Sequence, residues 1–436
     1  MDFNQICVLG LGYIGLPTAS TFATHGLNVT GVDVNPQVVE TLKKGEIHIH
    51  EPGLRTLVRA AIHSGNLVVT ETPVESDAFI IAVPTPFKAA DPSTGNDYPR
   101  ADLGYVQSAA ESIIPVLRSG NLVVLESTSP PRTTIDLVAP ILERSGLKAG
   151  QDFYLAYSPE RFLPGQILRE LIENARVIGG IDAASAQAGR DLYASFVRGE
   201  IVCTTATTAE IVKLMENTYR DVNIAIAIEF SRLAERFGVD VWEAIALANR
   251  HPRVQILRPG PGVGGHCISV DPWFLVEAAP DDTPLIRTSR KLNDSQPEHV
   301  VELIRKAAGG VAGRRFALLG LAYKPDVDDL RESPAVYVAQ KLAELGGEVV
   351  AYEPFKGDAL IPGVRTVAGL EEALAGSQVL VLLVGHTPIK NLKPAQVAAL
   401  TGARIVVDAV NGWDPALWEP AGFRFHRLGV GSHKNQ

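Results

Sequence analysis

The stretch QICVLGLGYIGLPTASTFATHGLNVTGVDVN, Gln5 to Asn35, constrains the fold more than any other part of the chain. Ile6 to Leu9 form a short apolar strand pattern. Gly10, Gly12 and Gly15 follow in G-x-G-x-x-G spacing and open a helical stretch that runs to about Thr24. Gly26 ends that helix, and Val29 to Val32 form a second strand leading into Asp33. Each glycine has a mechanical job: Gly10 permits a tight turn, Gly12 lets backbone approach a pyrophosphate, and Gly15 lets helix and strand pack closely. Free N–H groups at the helix start favour an anion.

Glycine spacing alone is a weak signal, because a turn-and-cap cluster produces the same pattern. Here it follows a strand and opens a helix. An acid, Asp33, stands 18 residues beyond Gly15, at the end of the next strand, near the offset of about 20 expected for a ribose-binding acid. A carboxylate there repels a 2′-phosphate, so the expected cofactor is NAD rather than NADP. The expected fold class is therefore α/β. AFIIAVPTP, NLVVLESTSPP and DFYLAYSPERF continue the pattern of apolar runs ending in polar residues, where open parallel sheets deliver ligand contacts. Thr85, Thr128 and Glu160 thereby become site candidates, although turn or cap chemistry explains either threonine taken alone.

At 436 residues the chain is too long for one core, so two or three domains are expected. A net charge of −9 argues against a nucleic-acid surface. No apolar run approaches the roughly 18 residues of a membrane helix, and the N-terminus does not read as a secretory leader, so a cytoplasmic location without membrane partners is expected. The three cysteines, Cys7, Cys203 and Cys267, are far apart and include no C-x-x-C pair. That pattern fits neither a disulfide framework nor a structural metal site, and no metal is expected.

Thr207 to Gly238 has caps at both ends and no internal proline or glycine, and reads as one long helix. Lys213, Asn217 and Arg220 recur at i, i+4 and i+7 on one face. Such a stripe is usually solvated, but the apolar neighbours Ile211, Leu214, Met215, Ile224 and Ile228 argue for a largely buried helix, which would make the lysine usable as an acid or base. Further on, RRFALLGLAYKPDVDDLRESPA, GGEVVAYEPF and SQVLVLLVGHTP echo the first lobe. This second turn lacks G-x-G-x-x-G and carries Tyr323 and Lys324, which suits the phosphates of a sugar nucleotide better than a dinucleotide. Arg331 reads either as a ligand contact or as the partner of Asp328 or Asp329.

GPGVGGHCISVDPW, Gly260 to Trp273, sets Cys267 in a glycine-rich loop beside His266 and near Asp271. A buried inert thiol is the commonest fate of cysteine, and Cys7 and Cys203 fit it. Cys267 does not, since backbone N–H groups there can favour a thiolate and a developing oxyanion. With NAD, a thiolate lets an alcohol oxidation continue past the aldehyde to the acid through a covalent adduct.

GLGYIG, VPTP, ESTSPP, SPERFLPG, EIVKLMENTYRDVN, GVGGHCISVD and LAYKPDVDDLRESPA, in this order along essentially the whole chain, resemble the UDP-glucose/GDP-mannose dehydrogenase family. The resemblance implies two Rossmann-like open parallel-sheet domains joined by a central helical domain with one long helix. The expected boundaries are 1–203 for the NAD domain, 204–305 for the central domain with the cysteine loop, and 306–436 for a UDP-sugar domain. It implies NAD-dependent four-electron oxidation of a sugar nucleotide's C6 hydroxymethyl to a carboxylate. Members acting on UDP-glucose carry cysteine, x, proline, lysine, aspartate. Cys267-Ile-Ser-Val-Asp271 lacks that lysine, and its loop with NRHPRV is most similar to members acting on UDP-N-acetyl-D-mannosamine. Loops of members acting on UDP-N-acetylglucosamine and UDP-N-acetylgalactosamine are similar too.

Carried over motif by motif, the resemblance makes Cys267 the nucleophile, Lys213 the acid/base, and Glu160 the base for thioester hydrolysis. Asn217 and Asp271 position the reacting oxygen or water. Arg161, Phe162, Lys213, Asn217, Arg220, His251, Arg253, Gly262, Tyr323 and Lys324 are implied to meet the sugar nucleotide. Gly10, Gly12, Tyr13, Ile14, Gly15, Asp33, Thr85, Thr128 and Arg331 are implied to meet NAD. A homodimer through the central helices is implied, with Arg250 or Arg253 reaching across. Two rivals stand beside this reading. A sugar-nucleotide binding protein without catalysis is disfavoured by the intact Cys267, Lys213, Asn217 and Asp271. A two-electron dehydrogenase or epimerase would need no thiol.

Overall fold

A computed structural model describes residues 1, 3–49, 51–90, 98–162, 165–265 and 267–431. Its strands are β1 (Gln5–Leu9), β2 (Asn28–Val32), β3 (Leu67–Thr70), β4 (Ala78–Ile81), β5 (Phe87–Lys88), β6 (Arg100–Ala101), β7 (Leu122–Leu125), β8 (Tyr154–Tyr157), β9 (Arg176–Gly180), β10 (Ile201–Thr205), β11 (Arg315–Leu319), β12 (Glu348–Tyr352), β13 (Arg365–Val367), β14 (Val379–Leu382), β15 (Ile405–Asp408) and β16 (Arg424–Arg427). The chain forms two compact units, Met1–Glu216 with Trp273–Asp282, and Asn217–Pro272 with Thr283–Gln436.

The first unit holds an eight-stranded sheet in the order β10-β9-β8-β7-β4-β1-β2-β3. From β8 to β3 every neighbouring pair is parallel. β9 turns against β8, and β10 runs parallel to β9, so the sheet is mixed at that edge rather than wholly parallel. A parallel strand covered on both faces must be apolar at every position, and β1 illustrates it. Ile6 and Val8 pack with Leu16, Ala19 and Phe22 on one face. Cys7 and Leu9 pack with Val106, Ala110 and Ile113 on the other. The order reverses between β1 and β4, and ligands of such sheets bind at the carboxyl ends of the strands at that point.

The second unit repeats the design with six parallel strands, β13-β12-β11-β14-β15-β16. Phe316 and Leu318 of β11 face the helices Gln296–Ala308 and Pro334–Glu344, while Ala317 and Leu319 face Trp413 and Trp418. The long helix spans Ala206–Phe237, 32 residues, and the boundary between the units falls within it.

Candidate active site

The glycine turn after β1 has the geometry its spacing predicts. Gly10 sits at φ 91°, and a Cβ there would stand 2.6 Å from the Ala82 carbonyl oxygen. A Cβ on Gly15 would fall 1.8 Å from the Gly10 carbonyl oxygen. Over Gly12 the situation reverses, because a Cβ would meet nothing within 4 Å. Backbone packing thus requires Gly10 and Gly15, whereas Gly12 keeps an open space above the helix start. Tyr13 and Ile14 flank it, half-buried. The Leu11 N–H donates to Asp33 Oδ2 at 3.0 Å and the Asn35 N–H to Oδ1 at 2.9 Å, so the carboxylate is held at the end of β2. The helix Gly15–Thr24 has no acid in its first turn to repel an anion. These residues fit a dinucleotide. Around Thr128, Glu126, Ser127 and Ser129 are buried and Thr128 is half-buried. Thr85 is half-buried after β4.

Still in the first unit, Lys213 Nζ lies 3.8 Å from Glu160 Oε2, and both side chains are buried. The other Glu160 oxygen accepts the Phe162 N–H. Arg161 forks onto Glu216 at 2.5 and 3.1 Å and donates to the Ala175 carbonyl at 3.0 Å. Phe162 packs at the margin of the core.

In the second unit, Cys267 is half-buried and starts a helical turn. Its carbonyl accepts the Val270 N–H at 3.0 Å and the Asp271 N–H at 2.8 Å, and the helix Asp271–Ala278 follows at once. Ser269 Oγ donates to the Gly265 carbonyl and closes the loop. Asn217 Nδ2 donates to Asp271 Oδ2 at 2.5 Å, which pairs two predicted site residues from distant parts of the sequence. His266 lies outside the described residues.

The loop glycines answer to close approach rather than mobility. A Cβ on Gly264 would stand 2.4 Å from the Glu332 carbonyl oxygen, and one on Gly265, at φ 85°, 2.8 Å from the Tyr323 ring. Gly262, at φ 141°, abuts Pro334 and Pro297. The Gly265 N–H donates to the Arg331 carbonyl at 3.1 Å, and the Arg331 guanidinium is bound to Asp329 at 2.6 Å. The cysteine loop is therefore pressed against the segment carrying Tyr323, Lys324 and Arg331. Lys324 Nζ lies 5.8 Å from the Tyr323 ring centroid. Arg220, Arg250, His251 and Arg253 are exposed. For Arg220 this differs from the expected buried stripe, and Met215, expected to help bury the helix, is exposed as well. Asp221 takes the inward position instead, fully buried with Arg290 and Asn293.

The second glycine turn binds its own carboxylate. Glu353, at the end of β12, accepts the Leu321 N–H at 2.7 Å, the Ala322 N–H at 3.0 Å and His386 Nε2 at 3.0 Å. Burial raises its pKa, but the His386 and backbone hydrogen bonds outweigh that and hold it below the usual carboxylate range. Asp33 holds one N–H of the first turn in the same way, so the two turns differ in that Glu353 engages two N–H groups and the buried His386 as well.

Residues 4–197 match the NAD binding domain of the UDP-glucose/GDP-mannose dehydrogenase family, 207–295 its central domain and 317–415 its UDP binding domain. The chain belongs to this family. A UDP-N-acetyl-D-mannosamine dehydrogenase of Methanocaldococcus jannaschii is 48% identical over 99% of this chain and 97% of that protein. One from Escherichia coli K12 is 47% identical over 95% of this chain and 100% of its own. Among solved structures, the UDP-D-ManNAc dehydrogenase of Pyrococcus horikoshii is 40% identical with a TM-score of 0.89, covering 98% of this chain and 99% of that one.

Sequence reasoning missed several buried acids that hold this family's loops. Glu51 accepts the Gly165 and Ile167 N–H groups at 2.8 and 2.9 Å, holding the start of the helix Ile167–Glu173. Glu126 binds Arg176 and Tyr193, each at 3.0 Å, and burial raises its pKa. Glu210 and Asp221 extend the polar side of the long helix beyond Lys213 and Asn217. Their spacing was available in the sequence, but nothing there distinguished them from solvated acids. Cys203 is a correction: it is exposed, because β10 is the sheet's edge strand. Cys7 is buried as expected, which pushes its thiol up to about 12. Among the described residues, no cluster could hold a metal ion, and no helix is long and apolar enough to cross a membrane.

Proposed function

We propose that this chain oxidises the C6 hydroxymethyl of UDP-N-acetyl-D-mannosamine to the carboxylate, with two NAD consumed per sugar. The observation that carries the reading is the Asn217–Asp271 hydrogen bond one turn beyond Cys267. It joins the long helix bearing Lys213 to the cysteine loop, an arrangement a two-electron dehydrogenase does not require. NAD, when bound, takes up two electrons at each oxidation. Lys213 accepts the alcohol proton in the first, and its buried neighbour Glu160 supports the charged form. The Cys267 thiolate then adds to the aldehyde carbon, forming a C–S bond, with Lys213 and Asn217 stabilising the oxyanion. After the second oxidation Cys267 carries a thioester. Glu160 takes a proton from water as the water attacks, the C–S bond breaks, and the thiolate returns.

Tyr323, Lys324, Arg161, Arg220, His251, Arg253 and Phe162, with Gly262 in the loop, serve the sugar nucleotide in this reading. Tyr13, Ile14, Thr85, Thr128 and Arg331 serve NAD beside the glycine turn and Asp33. The functional division is 1–203, 204–305 and 306–436, at cytoplasmic location. The long helix supports a homodimer. Met215, Tyr219, Ile226, Phe230, Leu233 and Phe237 are all exposed along it, and apolar side chains exposed together mark an interaction surface. Val270 in place of the family lysine favours an N-acetylhexosamine over glucose. Incubation with NAD and UDP-N-acetyl-D-mannosamine, UDP-N-acetylglucosamine, UDP-N-acetylgalactosamine or UDP-glucose, with mass analysis of the product, tests the reading. The N-acetylmannosamine uronic acid is expected as the main product, and acid from UDP-glucose alone would refute it.

A further inference from the structure

Glu210 is fully buried, has no part in the chemistry above, and spends both carboxylate oxygens on one loop. Its Oε1 accepts the Thr134 N–H at 2.8 Å and the Thr134 hydroxyl at 2.7 Å, and its Oε2 accepts the Arg132 N–H at 2.6 Å. The loop needs such help. Pro130 and Pro131 lead into Arg132 at φ 73°, a left-handed conformation that a non-glycine residue adopts at a cost. The helical run Thr134–Leu142 then begins without a side-chain cap from its own sequence, leaving N–H groups in need of acceptors. Glu210 supplies them from 76 residues downstream. It stands three residues before Lys213 on the same helix, and the loop it holds carries Thr128.

We propose that Glu210 is a positioning residue that fixes the Thr128 loop to the helix bearing Lys213, so that the cofactor contact and the acid/base are set in register by one carboxylate. This rests on the roles given above to Thr128 and Lys213. Gln at this position keeps one acceptor but turns an NH2 toward the Arg132 N–H, two donors face to face. Asp keeps the charge and retracts it by one methylene. Glycine at 132 adopts the left-handed conformation without support, so Arg132→Gly relieves the loop when the carboxylate is gone.

The test uses the full chain and compares wild type, Glu210→Gln, Glu210→Asp, and Glu210→Gln with Arg132→Gly. NAD and UDP binding are each measured by titration, along with melting temperature, and kcat and KM for NAD are measured with UDP-N-acetyl-D-mannosamine. Glu210→Gln is expected to weaken NAD binding and lower kcat by about tenfold each, the scale of a small misplacement of reacting groups, while UDP binding stays within about twofold. Glu210→Asp should fall between, and carries the test if the Gln variant does not fold. Adding Arg132→Gly should recover most of the NAD affinity. NAD binding within twofold of wild type in both single variants overturns the proposal. So does loss of UDP binding in step with NAD and no rescue by Arg132→Gly, which marks Glu210 as a support of the fold alone. Because NAD binding is titrated directly, failure of wild type to form the acid counts against the proposed reaction and leaves the Glu210 comparison readable.

Discussion

Gly12 and Gly265 are both required, for opposite reasons, and the same substitution separates them. A Cβ on Gly12 enters open space, so Gly12→Ala should leave the melting temperature unchanged. It fills the room a pyrophosphate needs, so KM for NAD should rise at least about tenfold, as expected where backbone must approach the ligand. Steady-state kinetics with calorimetry check the pair, and a lowered melting temperature with normal KM contradicts it. Gly265 already touches the Tyr323 ring and holds φ 85°. Gly265→Ala should therefore cost about 1–3 kcal/mol of strain and displace the cysteine loop, slowing turnover by more than tenfold. Gly260→Ala, with nothing within 4 Å, is the neutral control. Equal behaviour of the two variants would mean that the loop glycines serve mobility instead.

Elements whose residues answer to a period or a spacing were legible in the sequence: β1, the glycine turn, the long helix, and the repeat in the second lobe. Their ends moved by a residue at most, as with Gln5–Leu9 and Ala206–Phe237. The roles proposed for Cys267, Lys213, Asn217, Asp271 and Glu160 rest on motif resemblance, since no spacing argument joins Asn217 to Asp271. The reversed β9 was not legible, because Arg176–Gly180 is apolar in either direction. Nor were Glu51, Glu210 and Glu353, whose meaning lies in backbone N–H groups far away in sequence. Asp408 belongs to the same class. It ends β15, accepts the Val410, Gly412 and Trp413 N–H groups, and is pushed up to about 6 by burial. A carboxyl whose folded value lies above its unfolded value, about 3.9, adds stability at low pH and loses it as pH rises through the folded value. The stability difference between wild type and Asp408→Asn should thus fall by about 2 kcal/mol between pH 4 and pH 7. Denaturant titrations at several pH values measure it, and a flat difference contradicts the assignment.

At the scale of the whole molecule, the two lobes share one architecture and differ in their glycine turns. Asp33 engages one N–H of the first turn, and Glu353 engages two of the second. The family match places the NAD binding domain in the first lobe and the UDP binding domain in the second. The exposed stripe on the long helix sets the expected assembly, so Leu233→Asp should convert a dimer to monomers in sedimentation equilibrium. A monomeric wild type would remove that part of the account. The central claim is that Cys267 carries the second oxidation, and Cys267→Ser tests it most directly. A free thiol titrates near 8.5, and the nucleophile this mechanism requires is the thiolate. Serine keeps the position but is a far poorer nucleophile and leaving group. The measurement is NADH formed per sugar, with mass spectrometry of the protein during turnover. Wild type should give two NADH per acid and a transient sugar adduct on Cys267. Cys267→Ser should stall at the aldehyde level or hold a slowly released ester, while Cys7→Ser and Cys203→Ser leave the stoichiometry unchanged. Acid formation by Cys267→Ser at the wild-type rate would contradict the mechanism.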